Sequence, residues 1–244
     1  MIEEQGLDSH NSQIACVIAS NRLWNRTMAD TLVSQTGCKF ILISDPKELT
    51  NQKLALINPR FVFFPHWSYR IDSSIYDQFE CVIFHMTDLP FGRGGSPLQN
   101  LIARGIFETK ITALRCVEEM DGGPIYMKKP LSLYGTAEEI FIRASSVIED
   151  MIIEILEKQP LPVKQEGETT VFKRRKPEES DLSSAKSLEE VFDKIRMLDA
   201  DGYPHAVLNI GKMKIEFTRA SMKTCDILAD ARISFTEDFK DLNT

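Results

Sequence analysis

No apolar run in the 244-residue chain approaches the length of a membrane span; residues 61–65 (FVFFP) are typical of its longest. About 20 consecutive apolar residues are needed to cross a bilayer, so no spanning helix is expected. The first 13 residues are acidic and polar and lack a basic stretch followed by an apolar one, so no signal peptide is expected. The cysteines are few and scattered (Cys16, Cys38, Cys81, Cys116, Cys225), with no CxxC pair. That spacing favours buried reduced thiols in a cytoplasmic protein over a metal site or a disulfide framework. Positive charge is also short: 29 Lys and Arg stand against 36 Asp and Glu, a formal net charge of −7. A protein that grips a polyanion usually carries a basic face. The one basic cluster, Lys173-Arg-Arg-Lys176, is followed by Pro-Glu-Glu and reads as solvated surface. Nucleic acid is therefore disfavoured as the main substrate, and internal repeats and low-complexity tracts are absent.

Apolar residues make up 43% and charged residues 27%, enough for one sizeable globular domain and a small appendage. Short apolar runs at 14–19, 39–44, 60–65 and 80–85 read as buried strands, and 110–117 as another. Helices are expected over 28–34, stopped near Gly37, and over 97–104, with Pro97 in the first turn and Gly105 just past the end. Thr136 and Glu139 have capping-box spacing and open a long helix to about Lys158, with Ile140, Ala144, Val147, Met151 and Ile155 along one face. Strands alternating with helices imply an α/β fold: a Rossmann-like, mainly parallel sheet with helices on both faces. Residues 159–168 hold two prolines and a glycine and read as the core of a linker. Beyond it, a helix at 187–197 and a hairpin around Gly211 form a small α+β C-terminal unit. The expected division is 1–158, 159–172 and 173–244.

Chemistry concentrates in two stretches: His85-Met-Thr-Asp-Leu-Pro-Phe-Gly-Arg-Gly-Gly-Ser-Pro-Leu-Gln-Asn100 and Glu118-Glu-Met-Asp-Gly-Gly-Pro124. In parallel sheets, ligands gather at the carboxyl ends of strands, where His66, His85 and Asp121 fall on this reading. A strand delivers His85, a glycine-rich loop permits close backbone approach, and a helix begins at Pro97, whose N–H groups face an anion or oxyanion. Taken singly, a strand-end histidine, a glycine loop and an Asp-Gly-Gly turn are each as easily structural as functional.

In combination and order they resemble the formyltransferase family, which includes enzymes acting on methionyl-tRNA, glycinamide ribonucleotide and nucleotide-linked amino sugars. The family pattern maps onto His85, Leu89-Pro90, Arg93-Gly94, Pro97, Gln99 and Asp121-Gly122-Gly123, with Gly105-Ile-Phe-Glu-Thr-Lys-Ile-Thr112 between them. The resemblance spans about 17–156 in order and 83–125 in detail, and residues 174–218 resemble the start of the family's C-terminal domain. It implies N10-formyltetrahydrofolate as co-substrate, with no metal. It puts the pterin beside the loop after the third strand, with His66, Trp67, Ser68, Tyr69, Ile71 and Gly122 as donor-binding residues. Arg22, Trp24, Arg93, Gly94 and Gln99 are the expected acceptor-binding residues.

The implied reaction is attack of a neutral amine on the formyl carbon. His85, with an ordinary pKa of about 6.5, takes a proton near neutral pH, and Asp121 stabilises the imidazolium. One departure stands out: where the family usually has Asn, two residues before the histidine, this chain has Ile83. Isoleucine donates no hydrogen bond, and losing one oxyanion donor typically lowers turnover about 100- to 1000-fold. Asn100 is the expected replacement, making His85, Asp121 and Asn100 the catalytic set. The acidic balance and short tail point to a nucleotide-linked amino sugar in surface-glycan biosynthesis. The alternatives are methionyl-tRNA and a catalytically weak folate- or nucleotide-binding homologue. No membrane partner is expected, and the edge strands of the C-terminal hairpin invite pairing into a homodimer.

Overall fold

A computed structural model describes residues 14–235. The N-terminal stretch read above for a signal peptide lies outside them. The chain divides into two compact units, with the boundary between Ile83 and Phe84.

In the first unit, β1 (Ala15–Ala19) leads to α1 (Met28–Thr36), β2 (Lys39–Ile43), α2 (Asn51–Ile57), β3 (Phe61–Phe64), the one-turn α3 (Ser73–Tyr76) and β4 (Cys81–His85), whose last two residues open the second unit. β1 pairs in parallel with both β2 and β3, and β3 pairs in parallel with Cys81–Ile83 of β4. Strands covered on both faces read as continuous apolar runs rather than alternating ones. That is why Cys16 to Ala19, all 0% exposed, could be recognised from sequence. Local signals end the helices. Gly37, at φ 67°, donates its N–H to Val33 and closes α1, and Asn58, at φ 49°, closes α2. The Thr50 hydroxyl accepts from the Lys53 N–H at 3.2 Å and opens α2, a helix not anticipated from the sequence.

The second unit contains β5 (Arg93–Gly94), α4 (Pro97–Ile102), β6 (Glu108–Arg115), β7 (Ile125–Ser132), α5 (Ala137–Lys158), β8 (Val171–Phe172), α6 (Leu188–Arg196), β9 (Ala206–Ile210), β10 (Met213–Met222) and β11 (Ile227–Phe235). β6 and β7 form an antiparallel pair against which α5 packs. The capping box at the head of α5 is formed: Glu139 N–H donates to the Thr136 hydroxyl at 3.3 Å, and Thr136 N–H to the Glu139 carboxylate at 2.8 Å. β9, β10 and β11 make an antiparallel sheet, with the expected hairpin turning at Gly211 (φ 58°) and α6 against β10. The fold is the expected Rossmann-like α/β type, with mostly parallel strands plus a small α+β C-terminal unit.

The connecting segment is more structured than its composition suggests. Val163 exchanges backbone hydrogen bonds with Ile125 (2.7 and 2.8 Å), and β8 pairs in parallel with β5. Of the cysteines, Cys16, Cys81 and Cys116 are buried, whereas Cys225 is exposed, unlike the expectation of buried thiols. Among the described residues, no helix is long and apolar enough to cross a membrane, and no group of His, Cys, Asp and Glu side chains is arranged to hold a metal.

Candidate active site

His85 closes β4 and is 7% exposed. The chain then passes through residues 86–92, fixed from beneath by Thr112, whose hydroxyl donates to the Thr87 carbonyl at 2.7 Å and accepts from the Leu89 N–H at 3.3 Å. At its end, Gly92 lies at φ 77°, and a β-carbon there would meet the Phe172 ring at 2.7 Å. The absence of a side chain therefore lets the Gly92 backbone pack between Phe172 and Thr87 at positive φ. Its carbonyl oxygen is 2.8 Å from His85 Nε2. A carbonyl only accepts, so Nε2 carries the hydrogen. The other ring nitrogen, Nδ1, is 3.5 Å from Asp121 Oδ2.

Asp121 is held in the left-handed region at φ 53°, where Asp and Asn are the better tolerated non-glycine residues. The same Oδ2 accepts from the Gly94 N–H at 2.9 Å, so one carboxylate oxygen joins the histidine to the glycine loop. The turn requires its glycines: a β-carbon at Gly123 would lie 1.8 Å from the Arg115 carbonyl oxygen, and one at Gly94 2.5 Å from that of Phe172. Gly122 donates its N–H to the Glu119 carbonyl at 3.0 Å.

The other predicted residues of this unit support the loop instead of facing open space. Arg93 donates to Glu119 Oε1 at 2.6 Å and, through Nε and Nη2, to Gln165 Oε1 at 3.2 and 2.8 Å. Gln99 is 4% exposed and donates to the Met197 carbonyl at 3.1 Å, which removes it from acceptor binding. The Asn100 amide donates to the carbonyls of Gly95 (3.0 Å), Ser96 (3.1 Å) and Lys173 (2.9 Å). Its two hydrogens are already shared among three acceptors, so the expected replacement for an oxyanion donor is a structural clamp. Gln165 was missed. Its amide donates to the Asp121 carbonyl at 2.7 Å and the Gly123 carbonyl at 2.8 Å, while its oxygen receives Arg93. A glutamine in a polar connecting segment carries no sequence signal for this role.

Cys116 is excluded as a nucleophile. Burial first, and then the nearby Asp121 charge, push its thiol up to about 11, far from the thiolate that would react.

In the first unit, the loop after β3 and the loop after β1 converge. His66 sits at φ 54° with its ring edge-on to Trp24, centroids 6.0 Å apart. Trp67 meets Phe64 (6.0 Å) and Tyr69 (5.4 Å), both edge-on. Arg22 lies 5.7 Å from the Trp24 ring centre and donates to the Ser68 hydroxyl at 2.8 Å. Ile71 is buried beneath, Tyr69 is half exposed, and the Trp67 Nε1–H is buried without a partner among the described residues. Burial, reinforced by the Arg22 guanidinium, lowers the His66 pKa to about 3, so this imidazole is neutral at physiological pH. The residues expected to bind donor (His66, Trp67, Ser68, Tyr69, Ile71) and those expected to bind acceptor (Arg22, Trp24) thus form one aromatic cluster.

Residues 177–234 match the family of methionyl-tRNA formyltransferase C-terminal domains. The methionyl-tRNA formyltransferase of Malacoplasma penetrans is 25% identical over 193 residues, covering 75% of this chain and 60% of that protein. Among solved structures, methionyl-tRNA formyltransferase from Clostridium thermocellum is 52% identical, with a TM-score of 0.88, covering 91% of this chain and 99% of that one. A sugar N-formyltransferase from a Shewanella species superposes with a TM-score of 0.67 at 15% identity, over 86% of this chain and 99% of that one, a likeness of fold alone. The chain belongs to the formyltransferase family. Its similarity at higher identity is to members named for methionyl-tRNA, although it spans 60% and 45% of the length of the Malacoplasma and Thermotoga maritima proteins of that name.

Proposed function

We propose that this chain is a folate-dependent N-formyltransferase that moves a formyl group from N10-formyltetrahydrofolate to the amine of initiator methionyl-tRNA. The observation that carries the chemistry is His85 held between the Gly92 carbonyl and Asp121. The His85 Nε2–H is already aimed at a carbonyl oxygen, the same chemical group as the formyl oxygen. A formyl group in the place of Gly92's oxygen receives that bond, and the bond strengthens as the oxygen gains negative charge. This supplies the donor that Ile83 lacks, without Asn100. The amine nitrogen bonds to the formyl carbon, the bond from that carbon to N10 breaks, the amine loses one proton and N10 gains one. Asp121 balances positive charge on the imidazole during transfer. The Trp24–His66–Trp67–Tyr69 cluster offers flat apolar faces for the pterin, and neutral His66 adds no charge there.

The acceptor expected from composition, a nucleotide-linked amino sugar, gives way to tRNA on two grounds. Relatives of higher identity bear the tRNA name, whereas the sugar enzyme resembles this chain in fold only. Lys173, Arg174 and Lys176, read from sequence as ordinary solvated surface, are exposed directly after β8, the strand paired with the Arg93–Gly94 loop. The basic cluster noted in the sequence is thus a local cationic strip suited to phosphates despite the net negative charge.

Purified protein is incubated with N10-formyltetrahydrofolate and either initiator methionyl-tRNA or UDP-, dTDP-, GDP- and CMP-linked amino sugars, and products are read by mass spectrometry. Formyl-methionyl-tRNA that disappears in His85→Ala supports the proposal. Formylation of a sugar nucleotide alone overturns the acceptor assignment, and no product on any acceptor overturns the enzymatic one.

A further inference from the structure

Asp121 is gripped at both its side chain and its backbone. The carboxylate accepts from the Gly94 N–H at 2.9 Å and stands 3.5 Å from His85 Nδ1. The backbone carbonyl accepts from the Gln165 amide at 2.7 Å, and the same amide donates to the Gly123 carbonyl at 2.8 Å. The Gln165 oxygen in turn accepts from Arg93 Nε and Nη2, at 3.2 and 2.8 Å. Arg93 and Gly94 are adjacent in the chain, so these bonds close a ring: Asp121 to Gly94, Gly94 to Arg93, Arg93 to Gln165, and Gln165 back to Asp121. Arg93 is steadied further by Glu119 at 2.6 Å, whose carboxylate lies where a β-carbon on Gly122 would strike it.

We infer that Gln165 is a positioning residue for formyl transfer, holding the Asp121 carboxylate opposite His85, a role that rests on the reaction proposed above. Only a primary amide fits its place in the ring. The two turn carbonyls accept and never donate, and the guanidinium donates and never accepts. The side chain between them must offer N–H groups on one side and an oxygen on the other, which fixes the orientation of the Gln165 amide as well as its identity. Glutamate would keep the arginine but set a negative oxygen against two carbonyl oxygens, and lysine or arginine would give Arg93 no acceptor. The need for such a hold comes from Asp121, whose φ of 53° is a conformation that persists where its surroundings over-determine it. The chain is anchored on either side of Gln165: Val163 exchanges backbone hydrogen bonds with Ile125, and the Thr170 carbonyl accepts from Gly92 and Arg93. Two consequences separate this role from a merely structural one. Gln165 does not touch the reacting atoms, so its loss slows transfer at saturation and leaves substrate affinity alone. It also acts through the Asp121 charge, so it has nothing left to position once that charge is gone.

Single-turnover transfer from N10-formyltetrahydrofolate to initiator methionyl-tRNA is measured for the full chain, Gln165→Met, Asp121→Asn and the double variant, each shown to be folded by circular dichroism. Gln165→Met should lower the saturated rate about tenfold or more, as misplaced catalytic groups do. The half-saturating concentrations of donor and acceptor should stay within about threefold of the parent. In the Asp121→Asn background the same change should lower the rate by less than about threefold, because the two residues act as one unit. Gln165→Glu, which keeps an acceptor for Arg93, should behave like Gln165→Met and takes its place in the cycle if that variant does not fold. A second arm needs no substrate: hydrogen exchange of the Gly94 N–H, read by NMR, should accelerate about tenfold or more in the Gln165 variant as its carboxylate partner loosens. A parental transfer rate, a parental rate of Gly94 exchange, or a fall that multiplies in full with that of Asp121→Asn each overturns the role. A parent that transfers no formyl group overturns the reaction instead, and not the hold on Asp121, which Gly94 exchange reads alone.

Discussion

Replacing Asp121 with Asn isolates the charge opposite His85. Asn keeps the volume, tolerates the φ of 53°, and offers an oxygen to the Gly94 N–H that Asp121 accepts at 2.9 Å. What it removes is one negative charge 3.5 Å from Nδ1, in a pair whose side chains are 7% and 11% exposed. Coulomb's law at that separation, with an effective dielectric constant of about 20, gives about 5 kcal/mol between full charges. The amide dipole and local relaxation recover part of this, so about 2–3 kcal/mol of imidazolium stabilisation should be lost. At 1.36 kcal/mol per decade, that is a roughly 30- to 150-fold fall in transfer rate. Single-turnover formyl transfer at saturating donor and acceptor reads it directly, and a thermal melt shows whether the loop is intact. An Asp121→Asn protein within threefold of the parent rate, and as stable, would refute the idea that this carboxylate acts on the histidine by its charge.

Asn100→Ala leaves the Gly95, Ser96 and Lys173 carbonyls without their shared donor. It should lower stability by about 1–3 kcal/mol in denaturant titration, and Asn100→Asp, with no hydrogens to give, should do no better; an unchanged midpoint for both would contradict the clamp. Gly123→Ala drives a β-carbon to 1.8 Å from the Arg115 carbonyl oxygen, whereas Gly105→Ala meets nothing within 4 Å. The first should destabilise by more than about 2 kcal/mol and the second by about 1–2, the ordinary strain of a side chain at positive φ, with equal melting shifts counting against this account. His66 has its folded pKa lowered to about 3, below its unfolded value of about 6.5. Between these values the unfolded chain binds a proton that the folded chain does not, so stability falls with pH across that window, by at most about 1.4 kcal/mol per unit, and the loss is complete below pH 3. His66→Gln should flatten that part of the stability–pH curve, and identical curves for the two proteins would remove the burial argument.

The strands of the first unit were legible because burial on both faces demands unbroken apolar runs, as in Cys16-Val-Ile-Ala19. β7 was not: its sequence, Ile-Tyr-Met-Lys-Lys-Pro-Leu-Ser, is mostly half-buried and contains a proline and two lysines, so neither a run nor an alternation survives. β11 hid for the same reason, being an exposed edge. In the candidate site, the placement of His85 at the end of β4 and of Asp121 at the head of a glycine turn was legible, because strand-end position and an Asp-Gly-Gly turn leave marks in the sequence. Asn100 was misassigned because residue type reveals that an amide can donate, not how many carbonyls await it. Gln165 was invisible because its partners, Arg93, Asp121 and Gly123, are 42 to 72 residues away in sequence. The acceptor expectation rested on net charge, which is a sum: a total of −7 was given more weight than the four adjacent cations at 173–176.

The hydrogen bond from His85 to Gly92 constrains how the histidine works. An imidazole that donates from Nε2 and is neutral keeps a lone pair on Nδ1, directed here at a carboxylate oxygen 3.5 Å away. Lone pair against anion is repulsive, and the contact becomes attractive once Nδ1 also carries a hydrogen. In the proposed reaction, exchange of the Gly92 oxygen for the formyl oxygen leaves the Nε2 donor in place. Gly92 itself is kept near the ring by β8 and its approach: Gly92 and Arg93 both donate their N–H groups to the Thr170 carbonyl, at 3.0 and 2.9 Å, and the Phe172 ring lies against the Gly92 α-carbon. The segment that composition marks as a linker is thus what holds the Gly92 carbonyl against the His85 ring.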